Sequence, residues 1–186
     1  TAEYLFRKCF VQGGFYQEIS HSGINAYLTL HIAQIFLRAG DPRYIDLMKT
    51  IASLATSTGQ WPEAIHPRTK GGCMGDGQHL WAAAEWILMI RNCFVMEEEA
   101  EGKLILCSGV PLSWIKEGPG VSFGPTNTSF GPVNVQVKVR EGKVRVQWSG
   151  QWRDGKEPAI EVRLPTFAPI LAKLGENSLV VQGAVS

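Results

Sequence analysis

Gly59–Trp86 reads GQWPEAIHPRTKGGCMGDGQHLWAAAEW, and its two ends obey different rules. The first part is a loop rich in Pro, Gly, His and charge. The last part opens a helix too apolar for an open surface. Structureless loops of this length are uncommon inside compact domains and tend to carry function. This one supplies a carboxylate (Glu63), an imidazole (His66), two cations (Arg68, Lys70) and an indole (Trp61). That inventory suits a polar ligand with many hydroxyl groups, such as a sugar.

Composition narrows the field. Eighteen Lys and Arg against seventeen Asp and Glu leave a net charge of +1, so no electrostatic argument favours nucleic acid or an anionic membrane as a partner. The most apolar run, Leu80–Ile90, is too short for a bilayer and contains Glu85. The four cysteines (Cys9, Cys73, Cys93, Cys107) are far apart without a C-x-x-C pair. Zinc spacing is therefore missing, and reduced thiols of a cytoplasmic protein are expected. No metal or other cofactor is expected.

Periodicity divides the 186 residues in two. The first half reads helical. Thr1–Val11 is a short apolar-periodic helix ended by Gly13-Gly14. Ser22–Ala39 is a longer one, with Ile24, Tyr27, Leu28, Ile32, Ile35 and Phe36 on a broad face. Gly40 closes it, and Asp41-Pro42 starts a third that runs to about Ala55. A fourth is expected from an N-cap at Asp76 to about Glu97. From Lys103 the period drops toward two. Leu104–Leu106, Val133–Val139, Lys143–Trp148 and Ile160–Leu164 are the expected strands, with a turn at Glu141-Gly142. The fold class is α+β: antiparallel helical hairpins over residues 1–98, then an antiparallel β unit over 99–186.

Connection lengths then predict a site. The tight Gly-Asp-Pro turn makes helices two and three antiparallel neighbours. The long links, about residues 12–21 and 56–75, emerge at the same end of an up-down array. Glu18, His21, Glu63, His66, Arg68 and Asp76 would share that face. Helices two and four start there, so their unpaired N–H groups point into it.

Each candidate has a plainer reading beside it. Glu63, fixed by the preceding Pro62, is a general base or a solvated loop residue. His66, His79 and His21 orient a ligand, carry a proton, or cap a turn. Trp61 and Trp81 stack on sugar rings, whereas Trp86 sits deeper, in the core. Glu85 reads as a buried structural carboxylate, and His31 as part of a polar edge with Tyr27, Gln34 and Arg38. The glycines of Gly71–Gly77 either present N–H groups to an anion or supply positive φ.

WPEAIHPRT, GGCMGDGQH and LWAAAEW, preceded by LTLHIAQIFLRAGDPR, resemble the final hairpins of the six-hairpin (α/α)6-toroid glycosidases, the glucoamylase-type enzymes among them. Those carry Pro-Glu shortly before a last inner helix with a Trp-Ala-x-Ala-Glu-aromatic run. The matching residues are Pro62-Glu63 and Trp81–Trp86. The resemblance implies that Glu63 is the general base of an inverting hydrolase acting on an oligo- or polysaccharide. It implies a partner acid on an earlier hairpin, outside this chain, and a C-terminal β-sandwich after the toroid. Trp61, His66, Arg68, Asp76, His79 and Trp81 would bind carbohydrate. Two other functions fit the residues: a phosphorylase holding inorganic phosphate on His66, Arg68, Lys70 and the glycine loop, or a carbohydrate-binding or assembly fragment without chemistry. The apolar flank of a partial toroid would be covered by the missing N-terminal part or by self-association.

Overall fold

The computed structural model describes residues 1–18, 22–75, 77–116 and 119–181. The chain is α+β and divides into two compact units, Thr1–Ile90 and Arg91–Ser186.

The first unit begins with helix α1 (Ala2–Lys8), shorter than the sequence suggests. Phe10–Val11 leave it to form strand β1, which pairs with β2 (Gly14–Gln17) across a Gln12-Gly13 turn. Both turn residues have positive φ (51° and 81°), the backbone that matches the twist of a two-residue hairpin. Strand β3 (Gly23–Ile24) precedes helix α2 (Ala26–Arg38). Asn25 caps α2: its side-chain oxygen accepts the Leu28 N–H at 3.1 Å, and its amide nitrogen donates to Gln17. These bonds satisfy a buried polar residue and fix where α2 starts.

Gly40 (φ 69°) ends the α2 segment, and helix α3 (Arg43–Ser53) returns antiparallel. Asp41 accepts the Arg43 N–H at 3.0 Å, and its hydrogen bonds to the Arg43 guanidinium hold its carboxyl below the usual range. Ile24, Leu30, Ala33, Ile51 and Ile65 are wholly buried and form the centre of this unit.

The long links are not plain loops. The second contains β4 (Ala64–Ile65) and β5 (Gly72–Met74), and the five short strands join in the order β1-β2-β3-β4-β5. Ile24 opposite Ile65 ties the two links together. This sheet is hard to read from sequence because strands of two to four residues hold no periodicity; pairing creates them.

Helix α4 (Leu80–Phe94) starts four residues after Asp76, which lies outside the described residues. It also ends before Glu97. Val95–Glu98 form strand β6, antiparallel to β7 (Lys103–Leu106), because pairing there supplies the hydrogen bonds that a longer helix would have used.

In the second unit a short helix α5 (Ser113–Lys116) leads to β8 (Val121–Thr128), β9 (Gly131–Arg140) and β10 (Lys143–Gly150). Glu141-Gly142, both at positive φ, close the β9–β10 hairpin. Strands β11 (Ala159–Val162), β12 (Ile170–Leu171) and β13 (Ser178–Val181) complete two four-stranded sheets, β13-β10-β9-β8 and β12-β11-β7-β6. The unit is not purely antiparallel as the sequence suggests: β11 runs parallel to β7. Parallel pairs need a long crossover, and residues 107–158 provide it. Alternating burial puts Val133, Val135 and Val137 of β9 and Val144, Val146 and Trp148 of β10 into the core.

Glu97 fastens β6 within this unit. Its carboxylate accepts the Ser129 N–H and binds Arg91, each at 2.5 Å. Burial alone would push its pKa up; the Ser129 N–H and Arg91 outweigh that and hold it below the ordinary value. All four cysteines are free thiols, and burial pushes Cys93 up to about 12 and raises Cys107 as well. Among the described residues no helix is long and apolar enough to cross a membrane.

Candidate functional site

The first turns of α2 and α4 come together in the first unit. Tyr27 and His31 are one helical turn apart on α2; Trp81 and Glu85 are one turn apart on α4. The Tyr27 and Trp81 rings stack with centroids 4.3 Å apart and planes 16° apart. Below them His31 Nε2 lies 3.1 Å from Glu85 Oε1. Two i, i+4 pairs thus meet rung to rung, which requires α2 and α4 to run in the same direction. Tyr27 is buried, while Trp81 is 52% exposed. The outer face of the Trp81 indole is an apolar shelf of the kind on which a sugar ring or other flat apolar face packs.

His79 stands at the edge of this shelf, its ring 5.2 Å from that of Tyr27. Its backbone N–H donates to the Trp61 carbonyl at 2.9 Å. Its Nδ1 is buried and finds no hydrogen-bond partner among the described residues. A buried ring nitrogen without a partner is costly, and such groups in native proteins call for an explanation.

The Trp61–His79 bond ties the start of α4 to the loop that carries Glu63. Pro62 is buried, Glu63 is half-buried, and the Glu63 N–H donates to Met74 across the β4–β5 hairpin. Gly75 (φ 79°) lies beneath it; a Cβ there would come within 3.3 Å of the Glu63 nitrogen. The Glu63 backbone is therefore fixed from both sides. Among the described residues its carboxylate has no hydrogen bond or ion pair within the chain.

The other residues singled out by sequence fall into different places. Trp61 is 4% exposed, its indole N–H donates to Ile51 at 2.8 Å, and it packs against Trp86 at 5.4 Å. A ring so enclosed supports the core and offers no open face. His66 Nδ1 accepts the N–H groups of Arg68 and Thr69, each at 3.2 Å, and so organises the turn after β4. Arg68 is exposed on that turn, and Lys70 reaches to Gln12. Glu18 is exposed; His21 and Asp76 lie outside the described residues. Of the glycine run, Gly72 lies on β5 and packs against Pro62.

Tyr27, His31 and Glu85 were assigned no binding role by sequence. The signal was present: an aromatic followed four residues later by a titratable group, on both helices. Among the described residues no group of three or more His, Cys, Asp or Glu forms a metal cluster.

No protein-family model, curated protein or solved structure matches this chain.

Proposed function

We propose that the chain is the C-terminal part of an inverting glycoside hydrolase, with Glu63 as general base and the Trp81 shelf as a sugar subsite. One observation carries this reading: the Trp61–His79 hydrogen bond joins the loop bearing an unpaired, backbone-fixed carboxylate to the helix start bearing an exposed aromatic face. The carboxylate would supply one of the two acid–base groups of a sugar-cleaving site, and the shelf a surface on which the sugar packs.

In this mechanism Glu63 takes a proton from a water, and the water oxygen attacks the anomeric carbon. A second carboxyl group protonates the departing glycosidic oxygen as the bond breaks. Inverting enzymes keep the two groups roughly 6.5–9.5 Å apart to admit the water. The second group is assigned to a part of the longer protein outside this chain. On the same reading the helical unit is one sector of an (α/α)6 toroid and the second unit a sandwich. The parallel contact between α2 and α4 supports the first. So do the exposed apolar residues Ile35, Leu80, Ile87 and Leu88, which suit a flank that further helices cover.

The test is Glu63→Gln in the full-length protein. Turnover should fall by roughly 10²–10⁴, with sugar binding by calorimetry preserved. Undiminished turnover with intact binding would reject the assignment.

A further inference from the structure

The solvent face of the β13-β10-β9-β8 sheet has a composition that packing does not explain. In the β9–β10 register, the outward residues meet as four cross-strand pairs: Asn134 with Ser149, Gln136 with Gln147, Lys138 with Arg145, and Arg140 with Lys143. Two pairs are neutral and polar; the next two are like-charged. Like charges directly opposite each other are destabilising. Lysine on edge strands is a common guard against aggregation, but β9 and β10 are the two central strands. None of the four strands contains an acidic residue. Among the described residues, none of the four cations forms a hydrogen bond or ion pair.

The neutral half is hollowed out. Two adjoining depressions of about 350 and 560 Å³ share Asn134 and Ser149, and neither has a charged residue in its wall. Gly124 (φ 126°) makes room for the Asn134 side chain: a Cβ at 124 would sit 2.9 Å from Asn134 Oδ1. The amides of Asn134, Gln136 and Gln147 make no hydrogen bond to another protein group among the described residues.

We propose that this face binds an acidic polysaccharide, its carboxylates on the Lys138–Arg145 and Arg140–Lys143 pairs and its hydroxyls in the amide groove. Amides both donate and accept, as sugar hydroxyls do. Unpaired cations across the two central strands complement a chain that carries anions at intervals. Single-stranded nucleic acid is disfavoured because no aromatic side chain occupies an outward position on β9 or β10 to stack a base. A membrane is disfavoured because these outward positions carry no apolar side chain that would insert into lipid. The site lies wholly in the second unit and stands whether or not Glu63 is catalytic.

The experiment is calorimetry of the 186-residue chain against polygalacturonate, its methyl ester, single-stranded DNA and phosphatidylserine vesicles, at low salt and at about 0.3 M salt. Polygalacturonate should bind, and the methyl ester, with the same hydroxyls but no charge, should bind about tenfold more weakly. Two double variants at exposed positions separate the halves of the site: Lys138→Gln with Arg145→Gln, and Gln136→Ala with Gln147→Ala. Each should weaken polygalacturonate binding without lowering the melting temperature, and only the first should flatten the salt dependence. Absence of polygalacturonate binding would overturn the proposal, as would equal binding of the methyl ester. Equal binding of DNA or vesicles, or polygalacturonate binding unaffected by Gln136→Ala with Gln147→Ala, would mean plain charge attraction and would also overturn it.

Discussion

Trp81 lies flat on Tyr27, ring centroids 4.3 Å apart, and the two rings differ sharply in exposure: Tyr27 is 7% exposed and Trp81 52%. One contact therefore has a structural side and an open side. Tyr27→Ala should cost roughly 3–5 kcal/mol, as deletion of a core aromatic does. Trp81→Ala should cost about 1 kcal/mol, the order of a single ring pair, and should remove the sugar binding proposed for its open face. Urea unfolding and calorimetry check both. Equal destabilisation by the two variants would show that Trp81 is a core residue.

His31 and Glu85 form the second rung at 3.1 Å, partly open to water. Their coupling should be about 0.5–1 kcal/mol after solvent screening. A cycle of His31→Ala, Glu85→Ala and the double variant, read by unfolding, measures it. Additive losses would mean that the pair holds nothing together.

The acid limb of stability should report Glu97. Its folded pKa lies below its ordinary, unfolded value, so its contribution is complete above that unfolded value. It is lost as pH falls through the folded pKa, below the ordinary carboxylate range. Glu97→Gln should lower stability by about 2 kcal/mol at neutral pH, the order of a charged hydrogen bond. It should also flatten the decline of stability toward about pH 3. An unchanged acid limb would assign that decline to other carboxylates.

At the start of β9, Gly131 has φ 121°, and a Cβ there would lie 2.1 Å from the Gln151 carbonyl oxygen. Backbone cannot step aside as a flexible side chain does. Gly131→Ala should destabilise by more than about 2 kcal/mol, seen as a lower melting temperature. A variant as stable as the parent would mean that the β8–β9 turn has room to move.

Thiol reactivity should sort by burial. Cys73 is exposed, whereas Cys93 and Cys107 are buried and held protonated. A thiol reagent at pH 8 should label Cys73 quickly and the other two only after unfolding. Fast labelling of Cys93 in the native protein would show that the second unit opens readily.

Sequence alone determined the α+β class, the α2–α3 hairpin and the β9–β10 hairpin. Those elements are long, their periods are clear, and Gly40 and Glu141-Gly142 mark their ends with turn chemistry that acts locally. Sequence also singled out Glu63 and Trp81. The tertiary structure decided the rest, because partners distant in the chain make it. The five-stranded sheet exists only where Ile24 meets Ile65. Val95–Glu98 become strand only because β7 lies beside them. Trp61 and Trp81 look alike in sequence, yet the Ile51 carbonyl draws one into the core and Tyr27 leaves the other half open to water. Local spacing sets which backbone a segment prefers; burial and hydrogen bonding between distant segments set which side chains remain free to act.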